Sequence, residues 1–199
     1  MSALAASPSP GFNDTVHDTQ QVFRRLLDGF THPGRVILLP QRLASPDALW
    51  PSGAALALTL FDHGTPVHLD PVLDTDGVRD FLRFHCGAPI AEAPHEASFA
   101  LIGNAADLDL ASFAPGDAER PERSTTVVIQ VPGFLHGKPR RLAGPGIATT
   151  TSLVVDGVEA KFWQQWRENG ALYPGGIDVV LAAPEAIAVL PRTVRVVEE

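Results

Sequence analysis

The spacing of apolar residues near the start of the chain predicts a helix over residues 14–31. Acidic residues occur early in this segment and Pro33-Gly34 follows it, as expected at the two ends of a helix. The apolar positions that fall at helical spacing are Phe23, Leu26, Leu27 and Phe30, and Phe23 is predicted to face inward. Residues 54–61 are apolar on almost every side, which is typical of a helix buried in the core or against a partner. Ser45-Pro46 and Ser52 are its two possible starts.

Two further helices are predicted later in the chain. Residues 76–85 return to helical spacing, and the side chains predicted to face inward are Val78, Phe81 and Leu82. Asp156 and Glu159 form a possible capping box for a helix over residues 158–168, which ends at Asn169-Gly170. A polar stretch rich in Pro and Gly, residues 107–123, is predicted to be a surface loop with one helical turn.

Short runs of β-branched and aliphatic residues predict the strands. These runs are residues 36–39, 65–69, 98–102, 125–131, 177–182, 186–190 and 193–197. Residues 140–143 are predicted to pair back on 125–131 as a hairpin, because the turn signal Pro132-Gly133 lies between them. Helices and strands alternate early and strands dominate late, so the fold class is α/β, with one mixed sheet flanked by helices and antiparallel towards the C-terminus.

Composition limits the classes of function. The 199 residues include 45% hydrophobic and 19% charged residues, as in a globular domain, and carry a formal net charge of −8. This charge argues against a general nucleic-acid binder, while a few arginines can still hold a small anion. Residues 1–11 are predicted to be a loose N-terminal tail and residues 12–199 a single domain. No run approaches the ~18 apolar residues of a membrane span, and Cys86 is the only cysteine, so a cytoplasmic location is expected.

Standard catalytic and cofactor motifs are missing from the sequence. The seven histidines are scattered without ligand spacing, so we expect no metal site. Gly144-Pro145-Gly146 matches neither a P-loop nor a dinucleotide-binding fingerprint, and the Gly-x-Ser-x-Gly of serine hydrolases is also missing. Cys86 beside His85 is more typical of a structural cysteine than of a nucleophile. Lys161 fits an ordinary amphipathic helix better than a Schiff-base site.

Three local clusters leave two interpretations open. Arg83-Phe84-His85 is either an anion grip or the cationic end of a helix that interacts with the last carbonyl groups. Arg24-Arg25 is either a solvated helix face or the edge of a pocket. Ser124-Thr125-Thr126 either cradles phosphate oxygens at a strand entrance or ends a turn.

Several short motifs in fixed order resemble one family. They are Phe23-Arg24-x-Leu26, His32-Pro33-Gly34, Leu58-Thr59-Leu60-x-Asp62-x-x-Thr65-Pro66, Leu82-Arg83-Phe84-His85-x-Gly87-Ala88-Pro89, Pro121-x-x-Ser124-Thr125-Thr126, Leu142-x-Gly144-Pro145-Gly146-Ile147, Tyr173-Pro174-x-Gly176-Ile177-Asp178 and Leu190-Pro191-Arg192-Thr193. This order is similar to that of PhnH proteins, subunits of the carbon–phosphorus lyase system for phosphonate use. The resemblance covers about residues 12–197.

The resemblance implies a fold, a function and partners. The expected fold is a three-layer α/β/α sandwich on a mixed sheet, like the large domain of pyridoxal-phosphate-dependent transferases but without the cofactor. The expected function is a subunit that supports transfer of the ribose 5-triphosphate moiety of ATP to an alkylphosphonate, with release of adenine, before C–P bond cleavage. The expected partners are a second copy of the chain and the G, I and J subunits of the core complex. No cofactor, nucleic acid or membrane is expected.

The resemblance also nominates site residues, although it assigns no catalytic residue. The candidates for a pocket that accepts a phosphonate or an ATP-derived ligand are Arg24, Asp62, Arg83, His85, Ser124, Thr125 and Arg192. The same residues could instead fix the fold or a subunit interface. Two alternative functions stay open: a stand-alone enzyme that keeps a pyridoxal-phosphate site, and a free phosphonate- or nucleotide-binding module.

Overall fold

The computed structural model describes residues 9–39 and 43–197, which form four helices and nine strands. The helices are α1 (Thr15–Thr31), α2 (Pro51–Leu60), α3 (Asp76–His85) and α4 (Ala160–Gly170). The strands are β1 (Ile37–Leu38), β2 (Val67–Leu69), β3 (Phe99–Ile102), β4 (Thr126–Gln130), β5 (Arg140–Ala143), β6 (Thr151–Leu153), β7 (Asp178–Ala183), β8 (Ala186–Leu190) and β9 (Arg195–Val197). Residues 1–8 of the predicted N-terminal tail lie outside the described residues.

The main sheet has six strands in the order β1-β8-β7-β4-β3-β2. Strands β2, β3, β4 and β7 run parallel to one another, and β8 pairs antiparallel with both β7 and β1. A separate antiparallel sheet has the order β6-β5-β9. The predicted α/β class and mixed sheet are therefore confirmed. The last predicted strand, β9, belongs to the separate sheet, so its predicted place in one mixed sheet is wrong. The likeness to the transferase domain stays a prediction.

The core lies on both faces of the main sheet. Val128 of β4 joins the side chains of α1, α2 and α3 in one hydrophobic cluster. Val127 and Ile129 of the same strand join α4 and the small sheet in a second cluster, because successive side chains of a strand point to opposite faces. A strand buried on both faces is apolar at nearly every position, which is the pattern seen at residues 126–131.

Helix α1 starts where the sequence predicts, but its inward face differs from the prediction. Asp14 caps the helix by accepting the main-chain N–H of His17. The buried residues are Val22, Leu26 and Gly29. Phe23 and Leu27 are 44% and 47% exposed, so the predicted inward orientation of Phe23 is wrong.

The orientation of α1 depends on a glycine that a search for apolar residues overlooks. A Cβ atom on Gly29 would overlap the side chain of Val189, so the missing side chain lets α1 lie directly on β8. Gly34 then adopts a φ of 77°, in the left-handed region, and donates its main-chain N–H to the carbonyl oxygen of Val189. The predicted stop at Pro33-Gly34 is confirmed.

Helix α2 is a core helix, as predicted, and begins at Pro51. Residues 52–57 are all buried. The main-chain N–H of Trp50, just before the helix, donates to Oε1 of Gln130 at 2.7 Å. Ser45-Pro46 leads into a turn at residues 47–48, and Ser52 lies inside the first helical turn, so neither of them is the cap.

Two predictions about the segment between β4 and β7 are wrong. Residues 140–143 do form a strand, but β5 pairs with β6 and β9, because both edges of β4 are already occupied by β3 and β7. The predicted hairpin is therefore wrong. The predicted capping box is also wrong: Asp156 accepts the main-chain N–H groups of Leu135 and His136 instead, and α4 begins at Ala160.

The remaining predicted elements are confirmed. Helix α3 covers the predicted residues and buries Val78, Phe81 and Leu82. The loop between β3 and β4 contains two short 3-10 turns, Leu110–Ser112 and Pro121–Arg123. No helix in the described part of the chain is long and apolar enough to cross a membrane.

Two leucines of α2 test the role of this helix in the core. We expect Leu56→Ala to lower the free energy of unfolding by about 2–5 kcal/mol, because Leu56 is fully buried and its loss leaves a cavity. Leu58→Ala is the matched control, since Leu58 lies on the same helix but is only partly buried. Urea denaturation monitored by circular dichroism gives both values. Equal losses, or a larger loss for Leu58→Ala, would contradict this assignment.

Candidate functional site

Several predicted site residues meet at the edge of the main sheet where the parallel strands begin. Ser124 and Thr125 immediately precede β4, and Asp178 is the first residue of β7. Arg192 follows β8 by two residues and reaches the same edge, because β8 runs antiparallel to β7. The sheet topology therefore gathers residues from three separate parts of the sequence.

Arg192 is the centre of this group. Its Nη2 lies 2.6 Å from Oδ2 of Asp178, and its main-chain N–H donates to Oδ1 of Asp178 at 2.8 Å. Nη1 donates to the carbonyl oxygen of Pro121 at 2.9 Å, and Nη2 also donates to Oγ of Ser124. The two charged side chains are only 14% and 15% exposed. A single guanidinium thus joins the loop before β4, the start of β7 and the turn after β8.

Thr125 is also held by contacts within the chain. It is fully buried, its hydroxyl donates to the carbonyl oxygen of Ala97 at 2.7 Å, and its main-chain N–H donates to the carbonyl oxygen of Ala114. These bonds fix the start of β4 against the start of β3. A ligand would have to compete with the contacts of Ser124, Thr125 and Arg192, so a ligand role for these three residues stays a prediction.

Sequence reasoning did not select Asp178 as a site residue. Its carboxylate binds both the side chain and the main chain of Arg192. The available signal was a carboxylate at the first position of an otherwise apolar strand, within the motif Gly176-Ile177-Asp178. An acidic residue at a strand entrance often has a nearby cation, because a half-buried charge requires a partner.

Arg83 and His85 lie near the end of α3 and bind different partners. Arg83 is 81% exposed and donates through Nη2 to Oδ1 of Asp80 at 2.6 Å. His85 is half-buried, and its Nε2 lies 2.8 Å from the carbonyl oxygen of Ser9. The structure therefore does not bring the two side chains onto one acceptor. Their shared role as a ligand grip stays a prediction.

The other two candidates are exposed. Arg24 lies on the outer side of α1. Asp62 forms a local turn after α2, in which its Oδ1 accepts the main-chain N–H of Gly64 at 2.8 Å and its carbonyl oxygen accepts the hydroxyl of Thr65 at 2.9 Å. This turn leads the chain into β2, so Asp62 has a structural role in the single chain.

The reactive groups that the sequence offered are not activated. Burial raises the pKa of the Cys86 thiol to about 11, and Sγ contacts the carbonyl oxygen of Ala57 at 3.6 Å. A protonated thiol, here half-buried, is a poor nucleophile. Lys138 and Lys161 are both exposed, so neither is desolvated as a Schiff-base lysine would be. No group of three or more His, Cys, Asp or Glu side chains that could hold a metal ion occurs within residues 9–39 and 43–197.

A small cavity of about 270 Å³ lies at the opposite edge, near the ends of β2 and β3. Ligands of parallel α/β sheets commonly bind at this carboxyl edge. Its buried carboxylate, Asp70, accepts the main-chain N–H groups of Leu73, Gly103 and Asn104 at 3.0, 2.9 and 3.2 Å. Burial also lowers the pKa of His68, against the effect of the nearby carboxylates. These contacts order the loops of the edge.

A basic cavity of about 720 Å³ lies over the small sheet. Its cationic side chains are Lys138, Arg140, Arg141 and Arg167. The guanidinium of Arg140 lies 5.5 Å from the ring centre of Trp163, in a cation–π contact. Sequence reasoning missed this cavity. The available signal was the run Lys138-Pro139-Arg140-Arg141 in an acidic chain.

Comparison with known proteins agrees with the motif order. A family model described as bacterial phosphonate metabolism protein (PhnH) matches residues 10–197. The chain is 38% identical over 200 residues to alpha-D-ribose 1-methylphosphonate 5-triphosphate synthase subunit PhnH of Rhizobium meliloti (strain 1021), with all of both chains covered. It is 32% identical over 179 residues to the putative C-P lyase subunit protein HtxG of Stutzerimonas stutzeri, covering 89% of this chain and 85% of that protein. The resemblance drawn from the motifs is confirmed.

The Arg192 network leads to a prediction about stability. Arg192→Lys keeps the positive charge but cannot bridge Asp178, Ser124 and Pro121 together. We expect it to lower the free energy of unfolding by about 1–3 kcal/mol, measured by urea denaturation. Arg195→Lys is the control, because Arg195 is exposed on β9. The same change in both variants would show that the bridge has no special role.

The buried thiol leads to a second prediction. Because burial raises the pKa of Cys86 from 9.0 to about 11, the native chain at pH 8 should contain about 100-fold less thiolate than the unfolded chain. We expect a disulfide reagent such as dithionitrobenzoate to modify native Cys86 far more slowly than Cys86 in urea. The native rate should rise as the pH approaches 11. Equal rates in the two states would contradict the burial of this thiol.

Proposed function

The chain belongs to the PhnH family of bacterial phosphonate metabolism proteins, and we propose that it acts as a subunit of a phosphonate-activating carbon–phosphorus lyase complex. In this complex it supports the transfer of the ribose 5-triphosphate moiety of ATP to an alkylphosphonate, with release of adenine. Cleavage of the C–P bond follows this step. The observation that carries the proposal is the match of the whole chain to a subunit of a 5-triphosphate synthase at 38% identity.

The contacts of the candidate site support a subunit that does not catalyse the reaction alone. The polar groups of Arg192, Ser124 and Thr125 bind other parts of the same chain. The thiol of Cys86 is half-buried and, because burial raises its pKa, protonated near neutral pH. An enzyme usually keeps an activated nucleophile or an acid and base pair within reach of a substrate. We therefore assign the reacting groups to other subunits.

Exposed apolar residues on α1 support a role in assembly. Val16, Phe23 and Leu27 are 77%, 44% and 47% exposed. Their spacing of seven and four residues places them on one face of the helix, which we call the α1 face. Grouped apolar side chains of this kind commonly mark a protein interface. In our proposal this face joins two copies of the chain, and the dimer binds the G-, I- and J-type subunits in the cytoplasm.

The proposal extends to the type of fold and to the residues that contact a ligand. We propose that the chain has the α/β/α sandwich of the large domain of pyridoxal-phosphate-dependent transferases, without the cofactor. The six-stranded mixed sheet with helices on both faces supports this proposal. Arg24, Asp62, Arg83 and His85 are proposed to contact either a phosphonate or ATP-derived ligand or a neighbouring subunit. The exposure of Arg24, Asp62 and Arg83 supports such contacts.

Co-expression of the tagged chain with the G-, I- and J-type subunits from the same genome tests this function. We expect all four proteins to elute together in size-exclusion chromatography, and we expect the chain alone to elute as a dimer. Failure of the chain to join any stable heteromeric complex would contradict the proposed function.

Charge substitutions test the α1 face separately. Phe23→Asp/Leu27→Asp should convert the dimer to a monomer with an unchanged circular dichroism spectrum, because both side chains are exposed in the single chain. Leu135→Asp/Leu172→Asp is the matched control, since these leucines are also exposed but lie elsewhere. A dimer that survives the first pair of substitutions, or that both pairs disrupt equally, would contradict the role of this face.

A further inference from the structure

The basic cavity is a concentration of positive charge in an acidic protein. Four of the 15 Lys and Arg residues of the chain line it, although the formal net charge is −8. None of the described residues that line it is acidic. Clefts lined by one sign of charge concentrate ions of the opposite sign. The charge of this cavity therefore favours an anion.

The small sheet brings these cations together. Arg140 and Arg141 lie on β5, and the register pairs Arg141 with Ser152 of β6 and with Val197 of β9. Lys138 comes from the chain just before β5, and Arg167 comes from α4. The cavity is thus built from four different elements of the fold rather than from one run of basic sequence.

Arg140 is held against an aromatic ring at the cavity. Its guanidinium packs on the ring of Trp163, which is itself buried. Its Nε–H is buried and has no hydrogen-bond partner within the described residues. Burying a donor without a partner is unfavourable, because its hydrogen bonds to water are lost and not replaced. A guanidinium that packs on a ring can still donate through its terminal N–H groups to an acceptor such as phosphate.

Hydroxyl groups complete the polar lining. Thr150, Thr151 and Ser152 line the cavity beside the cations, and hydroxyls donate readily to phosphate oxygens. The volume of about 720 Å³ suits a small molecule. A nucleic-acid strand would instead require an extended basic surface.

We propose that the basic cavity binds the triphosphate group of a small sugar or nucleoside triphosphate. Several separated cations match a chain of phosphates better than a single phosphate, because each can meet a different group of the chain. The choice of a triphosphate over other polyanions rests on the proposed function. A cavity of about 340 Å³ shares the lining residues Arg167 and Val196 with the basic cavity, and it leaves room for the rest of the ligand.

Isothermal titration of inorganic triphosphate into the purified chain tests this site. We expect saturable binding that is tighter than that of phosphate or methylphosphonate and that weakens as salt is added. ATP should compete with inorganic triphosphate. The absence of saturable binding, or tighter binding of a single phosphate, would overturn the inference.

Paired charge removals locate the binding. Lys138→Gln/Arg141→Gln should weaken triphosphate binding about ten-fold or more, because each lost cation removes a charge-assisted contact. Lys161→Gln/Arg25→Gln removes the same formal charge from exposed positions that do not line the cavity, and it should bind almost as the unchanged chain does. Equal losses in the two variants would overturn the site. Thermal unfolding without ligand checks that both variants are folded.

The same variants separate this inference from the proposed function. If the chain forms the heteromeric complex but does not bind triphosphate, the cavity inference fails and the assembly role stands. If it binds triphosphate through Lys138 and Arg141 but joins no complex, the assembly role fails and the site stands. A single-stranded oligonucleotide that displaces triphosphate at equal phosphate concentration would overturn the assignment to a small molecule.

Discussion

Burial of both faces of the central strands is the constraint on which the rest of the structure depends. Strands β4 and β7 lie in the middle of the six-stranded sheet, and the side chains of residues 127–130 and 179–183 are all buried. Three helices cover one face and one helix with a three-stranded sheet covers the other. The small sheet is thus part of the core, because Leu142 of β5, Leu153 of β6 and Val194, just before β9, belong to the second hydrophobic cluster. The surface of this covering layer carries the basic cavity.

The local sequence pattern was sufficient to predict those helices whose ends and buried face are determined by their own residues. Helix α3 has a capping residue, one apolar face and a stop signal, and it was predicted at its observed ends. Helix α1 was predicted at the correct residues but with the wrong inward face, because Gly29 has no apolar side chain and still packs directly on Val189 of β8. The pairing partners of β5 could not be predicted from the neighbouring sequence, since β3 and β7 occupy both edges of β4.

In the candidate site, too, some features could be predicted from local sequence and others depend on the fold. Motifs in fixed order identified the family, because turns and strand entrances carry distinctive residues such as Ser124 and Arg192. The contacts of those residues could not be predicted, since Arg192 meets Pro121, 71 positions away, only through the sheet topology. The basic cavity was not predicted from the sequence for a similar reason. Arg167 is 26 positions after Arg141 in the sequence, and only the packing of α4 on the small sheet brings both to one cavity.

The bridge made by Arg192 also bears on how the chain folds. Its bonds to Ser124 and Pro121 close loops of 68 and 71 residues, and closing long loops is entropically unfavourable until other contacts have formed. We expect this edge to become ordered late, after β4 and β7 have paired, because contacts of high sequence separation slow folding. Once closed, one guanidinium couples three chain segments. The edge should then open in native-state hydrogen exchange as one cooperative unit rather than strand by strand.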